Sequence, residues 1–136
     1  MGSDSLMPDV IGFAAELEWN RVFAARVHSL FRDYIDKHGL WTNVSKPNPV
    51  PVQRFRLNAI AAYLQRPVSA DDIPVPVVER YWELASYCNG MMDRVGGMST
   101  VAIVDKTVDE TMKSIPQLLT LTDALSGILG RLRSTR

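Results

Sequence analysis

A single cysteine, Cys88, stands among the 136 residues of this chain, so no disulfide within the chain can brace its fold. Histidine is almost as scarce. His28 and His38 are the only two, and neither lies in an HExxH or ExxH arrangement, so no set of metal ligands is visible. No Gly-rich phosphate loop is present, because Gly96-Gly97 lacks both a preceding strand and a following lysine. There is no GxSxG elbow to expose a nucleophilic serine. The acidic pairs Asp71-Asp72 and Asp109-Glu110 are adjacent in sequence, so their side chains diverge instead of forming an acid/base couple. These gaps argue against an enzyme and give no reason to expect a cofactor or a metal. No run of eighteen apolar residues exists to cross a membrane. The N-terminus, MGSDSLMPDV, lacks the basic-then-apolar order of a secretory leader. With so little cysteine, the expectation is a reducing, cytoplasmic setting, in which the sequon Asn43-Val44-Ser45 is a coincidence.

Net charge is also missing: 15 basic residues balance 15 acidic ones. The balance hides blocks. Residues 1–36 carry an excess of acids, and 71–123 do so again. Between Lys37 and Ala70 there are five bases (Lys37, Lys46, Arg54, Arg56, Arg66) and no acid. The last residues hold Arg131, Arg133 and Arg136 with no acid. A zero total gives no long-range pull toward a polyanion, but a local basic segment can still contact phosphates.

What is abundant is apolar side chain, at 46% of the chain, arranged with helical period. Residues 8–38 read as a first helix. Pro8 suits the first helical position, with Phe13, Leu17, Ala24, Val27, Phe31 and Tyr34 on one face and Gly39 as the cap. Such a rod is long for a compact domain, so a break near Gly12 or Asn20 is expected. Pro47, Pro49 and Pro51 force an extended path through 40–51, and a short helix follows over 51–65 until Pro67. Residues 77–95 form the most strongly patterned helix, with Val78, Tyr81, Trp82, Ala85, Cys88, Met91, Met92 and Val95 on a broad apolar arc. Gly96-Gly97 should stop it. The stretch 98–115 could hold a short strand at Val101–Val104. A helix from Ser99 to Ser114 is preferred, because a lone strand would have no hydrogen-bonding partner. A last helix runs over 116–133, with Pro116 in its first turn. The expected fold is therefore all-α, an irregular bundle of four or five helices forming one domain over 1–136.

Four features could carry function. In the last helix Leu118, Leu121, Leu125, Ile128 and Leu132 step by three and four, the spacing of a helix–helix seam. That seam either packs on the domain's own core or makes 117–133 an oligomerisation helix, with Gly127 and Gly130 allowing close approach. The basic segment offers Lys46, Arg54, Arg56 and Arg66 to a nucleic acid, with Trp41 and Phe55 near enough to stack on bases. Its helix–loop–helix outline, with a connection of about eleven residues, departs from the three- or four-residue turn of a DNA-reading helix-turn-helix. The proline stretch 47–51 could serve a polyproline-reading partner or act as a stiff connector, and Met91, Met92 and Met98 could line a groove or fill the core. From the first helix through Gly39 and the Lys46-Pro47-Asn48-Pro49 loop, the chain resembles some phage small-terminase subunits over less than half its length and without a diagnostic motif. The leading expectation is a non-enzymatic binding or assembly protein that works through protein contacts, its own copies included. The alternative is a small nucleic-acid-binding protein.

Overall fold

The computed structural model describes residues 2–38, 51–65, 73–97 and 101–134, with side chains over 11–33, 35–37, 51–65, 73–95 and 106–132. Among the described residues there are four helices: α1 (Gly2–His38), α2 (Asn58–Gln65), α3 (Val75–Gly97) and α4 (Val101–Ser134). Among the described residues there is no strand, and the all-α bundle expected from periodicity is what forms.

The three long helices share one packing code. On α1 a central buried line runs Phe13, Leu17, Asn20, Ala24, Val27, Phe31, with Glu16 and Phe23 buried beside it. On α3 the line is Val78, Tyr81, Ala85, Cys88, Met92, Val95, with Met91 beside it, and on α4 it is Val108, Thr111, Ile115, Leu118, Thr122, Leu125, Leu129, with Ser114 beside it. Every step in all three series is three or four residues, which keeps one face toward the neighbouring helices over the whole length. Helix α4 packs along both α1 and α3. Among the described residues α1 and α3 have no close backbone contact of their own, and α2 spans them on the side away from α4. The core therefore has four walls: α1, α4, α3, and a fourth made of α2 with the segment before it.

Several boundaries differ from the sequence reading. Helix α1 begins upstream of Pro8 and is unbroken at Gly12 and Asn20. Asn20 stays inside the helix because its side chain finds partners across the core and does not compete for local backbone. Helix α3 includes Gly96 and Gly97 and starts at Val75, with the amides of Val77 and Val78 donating to the Pro74 carbonyl at 3.1 and 3.2 Å. The largest difference is in α4, which runs continuously through Pro116 where two helices were expected. A proline there leaves the Met112 carbonyl without its in-helix donor and normally breaks a helix. Here Ile115 and Leu118, on either side, are both fully buried, so packing against two helices holds the rod through the defect.

The fourth wall is not the helix from Pro51 that the sequence suggests. Residues 51–57 are not helical, with a bend at Val52, and only Asn58–Gln65 forms a helix. An extended residue points its N–H and C=O to the same side, and the next residue points to the opposite side. Two asparagines use this alternation. Asn89 of α3 accepts from the Phe55 amide at 2.8 Å and donates to the Phe55 carbonyl at 3.1 Å. Asn20 of α1 accepts from the Arg56 amide at 2.8 Å and donates to the Arg56 carbonyl at 2.9 Å. The segment is thus paired on both edges, as a central strand would be, by side chains that imitate backbone. Glu16 continues the clamp, its two oxygens accepting from the amides of Ala59 and Ile60 at 2.8 and 2.9 Å. Those amides open α2 and have no partner within it, so α1 supplies the cap for a helix too short to hold itself.

Candidate interaction surfaces

With the backbone clamped, the side chains of 51–57 have fixed destinations. Phe55 turns inward, is 3% exposed and meets Phe23 edge-on with centroids 5.0 Å apart. It has no free face on which a base could stack. Arg54 swings to α3, where its Nε donates to Asp93 at 2.8 Å, while its Nη1 donates to the carbonyls of Pro51 and Gln53 at 2.6 and 2.8 Å. Arg56 swings the other way, and its guanidinium lies 4.0 Å from the centroid of the Trp19 ring on α1. Of the four cations read as phosphate contacts, Arg54 and Arg56 therefore diverge toward opposite walls, one of them already paired. Lys46 and Arg66 lie outside the described residues, as do Trp41, Met98 and the 47–50 part of the proline stretch.

The leucine seam of the last helix is likewise accounted for. Leu118 and Leu125 are fully buried inside the chain, while Leu121, Ile128 and Leu132 are partly buried and pack against the same core. The inward line is rotated from the one the leucines suggest, because Thr111, Thr122 and Leu129 lie on it. The two threonines can be there because each hydroxyl donates one turn back, Thr111 to Thr107 at 2.8 Å and Thr122 to Leu118 at 2.7 Å. A side chain added at Gly127 would touch only the Arg131 guanidinium, and one at Gly130 would touch nothing.

The remaining groups with chemical potential are structural. Tyr81 is buried where α1, α3 and α4 meet, and its hydroxyl accepts from Asn20 at 2.7 Å. Burial pushes its pKa to about 12, against the smaller downward pull of hydrogen bonds with Asn20 and Thr122. The Cys88 thiol is fully buried, and desolvation alone raises it to about 12, which makes it a core side chain and not a nucleophile. Met91 and Met92 are buried core residues. Asp109 pairs with Lys113 at 2.9 Å, and Glu110 accepts from the Tyr87 hydroxyl at 2.9 Å. Among the described residues, no three of His, Cys, Asp and Glu gather where they could hold a metal. No helix among them is long and apolar enough to cross a membrane.

Two surfaces stand out, and the sequence reading singled out neither. The first is the outer side of α1. Around this helix the apolar positions Phe23, Trp19, Ala15, Val22 and Ile11 follow one another from the core face out to solvent. At about 100° per residue they extend the apolar arc to roughly 200°. Ile11 is 47% and Val22 55% exposed. Between them Ala15, Glu18, Trp19, Val22, Phe23 and Arg26 line a shallow depression of about 450 Å³. Trp19 stacks on Phe23 at 5.1 Å, so the floor of this depression is continuous with the core. The second surface is a smaller depression of about 320 Å³ between α2 and α3, lined by Ala61, Leu64, Gln65, Glu79, Trp82 and Glu83. The signal for the first was in the sequence, since Ile11, Ala15 and Val22 recur at helical spacing on the side opposite Leu17 and Ala24. The second needed the α2–α3 packing and could not be seen along the chain.

No protein-family model matches the chain, and comparison with curated proteins and with solved structures gives no match either.

Proposed function

We propose that the protein is a non-enzymatic binding or assembly domain that acts through protein contacts, its own copies included, and that the outer face of α1 is the contact surface. The observation that carries this is the apolar band leaving the core: Phe23 and Trp19 anchor it, and Ala15, Val22 and Ile11 bring it into solvent. Large side chains such as Val22 gain by being covered, and a rigid helix positions them without an ordering cost. The α4 seam has no comparable claim, since its leucines pack within the chain. The nucleic-acid alternative has less support, because Arg54 is paired with Asp93 and Phe55 is buried.

Light scattering at tens of micromolar tests the reading. The expected result is a mass above the monomer that falls to the monomer in Val22→Glu with the melting temperature unchanged. A wild-type chain that stays monomeric would remove self-association through α1. Binding to single-stranded DNA that weakens steeply with salt and is lost in Arg56→Ala would favour the alternative.

A further inference from the structure

The chain carries two tryptophans near its surface whose surroundings are described, and they differ in one respect. Trp19 has a cation of its own: the Arg56 guanidinium rests 4.0 Å from the ring centroid. Trp82, 38% exposed, has none among the described residues. It lies between Glu79 and Glu83, one turn apart on the same side of α3, and all three line the depression against Ala61 and Leu64 of α2. Among the described residues neither glutamate has an ion-pair partner, and Arg80, the nearest cation in sequence, pairs with neither. An indole beside two unpaired carboxylates, walled by apolar side chains, attracts a flat cation: the ring face favours the positive charge, and the carboxylates accept its N–H groups.

We infer that the depression between α2 and α3 receives an arginine side chain from a protein partner. The guanidinium sits at Trp82 between Glu79 and Glu83, and an apolar neighbour of that arginine sits against Leu64 and Ala61. Charge complementarity selects this occupant. Two acidic groups repel a phosphate backbone or an anionic lipid surface, and a purely apolar segment would leave both carboxylates against it without partners. The chain uses the same pairing internally at Trp19, where a guanidinium and an indole meet at the edge of the apolar core. The inference rests on the protein-contact reading but uses a different face from α1, so the two can fail separately.

The test uses the full chain labelled with 15N, with the Trp82 indole N–H as reporter, assigned by its loss in Trp82→Phe. The probes are acetyl-Leu-Arg-Leu-amide and its citrulline counterpart, which keeps the shape and removes the charge. The expected result is a shift of the Trp82 indole signal with a roughly tenfold preference for the arginine peptide, from cation–π and carboxylate contacts together. In Glu79→Gln/Glu83→Gln that preference should fall to within about twofold. Both glutamates are exposed, so the variant should keep the wild-type melting temperature. Equal response to the two peptides, no response, or a response that persists unchanged in the double variant would overturn the inference. A monomeric mass by light scattering with an arginine-selective Trp82 signal would remove self-association through α1 and leave this site standing. The reverse pair of results would remove this site alone.

Discussion

Helix α4 and the segment 51–57 lie on opposite sides of the same core and are held there by different physics. Helix α4 is fixed by buried side chains at three- and four-residue steps, from Val108 to Leu129, all but two threonines of them apolar, against two neighbouring helices. Segment 51–57 buries little beyond Phe55 and is fixed by side-chain bonds to its backbone from Asn20, Asn89 and Arg54. The first kind of attachment is spread over many residues and tolerates a local fault, as the unbroken passage through Pro116 illustrates. The second is concentrated in a few groups, each of which leaves buried partners unsatisfied if it is removed. Distributed packing should therefore fail in proportion to the volume deleted, and the clamp should fail at single atoms.

The largest expected effect sharpens where the α4 face points. Leu129→Ala should destabilise the fold by about 3 kcal/mol, the usual cost of emptying a fully buried leucine site. Ile128→Ala, one residue away and partly exposed, should cost about 1 kcal/mol, since less apolar area is lost. Chemical denaturation of the two variants checks this. A larger loss in Ile128→Ala than in Leu129→Ala would mean that the leucine-and-isoleucine line read from sequence, and not the rotated one, faces the core.

The clamp comes next. Asn20→Leu keeps the branched shape but removes the bonds to both backbone groups of Arg56 and to the Tyr81 hydroxyl, and should cost about 2–3 kcal/mol. Asn89→Leu, which frees only the backbone of the less buried Phe55 pairing, should cost about 1–2 kcal/mol. Hydrogen exchange separates a local from a global effect. In both variants the amides of 55–61 should lose protection ahead of those in α4, and uniform loss across the chain would contradict a clamp distinct from the packed helices.

The same contrast explains what could be read along the chain. Apolar period disclosed α1, α3 and the two halves of α4, because a helix that packs on one side must repeat on one side. It did not disclose the continuity of α4, because Pro116 reads locally as a break, while packing on α1 and α3 overrides it. Thr111 and Thr122 look polar on paper but are buried with their hydroxyls bonded one turn back, so the true face was misaligned by one position. The irregular run 51–57 was invisible for a different reason. Its hydrogen bonds come from Asn20 and Asn89, more than thirty residues away in each case, and nothing in the local composition announces them. The surface sites divide in the same way. Ile11 and Val22 on α1 were legible as a second apolar stripe, whereas the depression at Trp82 exists only where α2 meets α3.

The smallest effect at neutral pH, and the one that links both regions, concerns Tyr81. Its ring packs in the seam of α3, and its hydroxyl is the point where the clamp residue Asn20 reaches α4's Thr122. Its pKa is about 12 in the fold against an ordinary value of 10.0, chiefly because burial disfavours the phenolate. A raised folded pKa favours the protonated state in the fold. The contribution is fully present below pH 10 and is lost as pH rises from about 10 to 12. Cys88, also raised by burial, loses its contribution from about pH 9 upward, so the tyrosine is best isolated in Cys88→Ala. In that background, stability should hold between pH 7 and 9 and drop by about 1 kcal/mol by pH 11. Adding Tyr81→Phe should flatten most of that drop while lowering stability at neutral pH, because Asn20 loses an acceptor. An alkaline decline that survives Tyr81→Phe unchanged would show that the hydroxyl is not sealed between the clamp and α4, and the separation of the two regions would lose its meeting point.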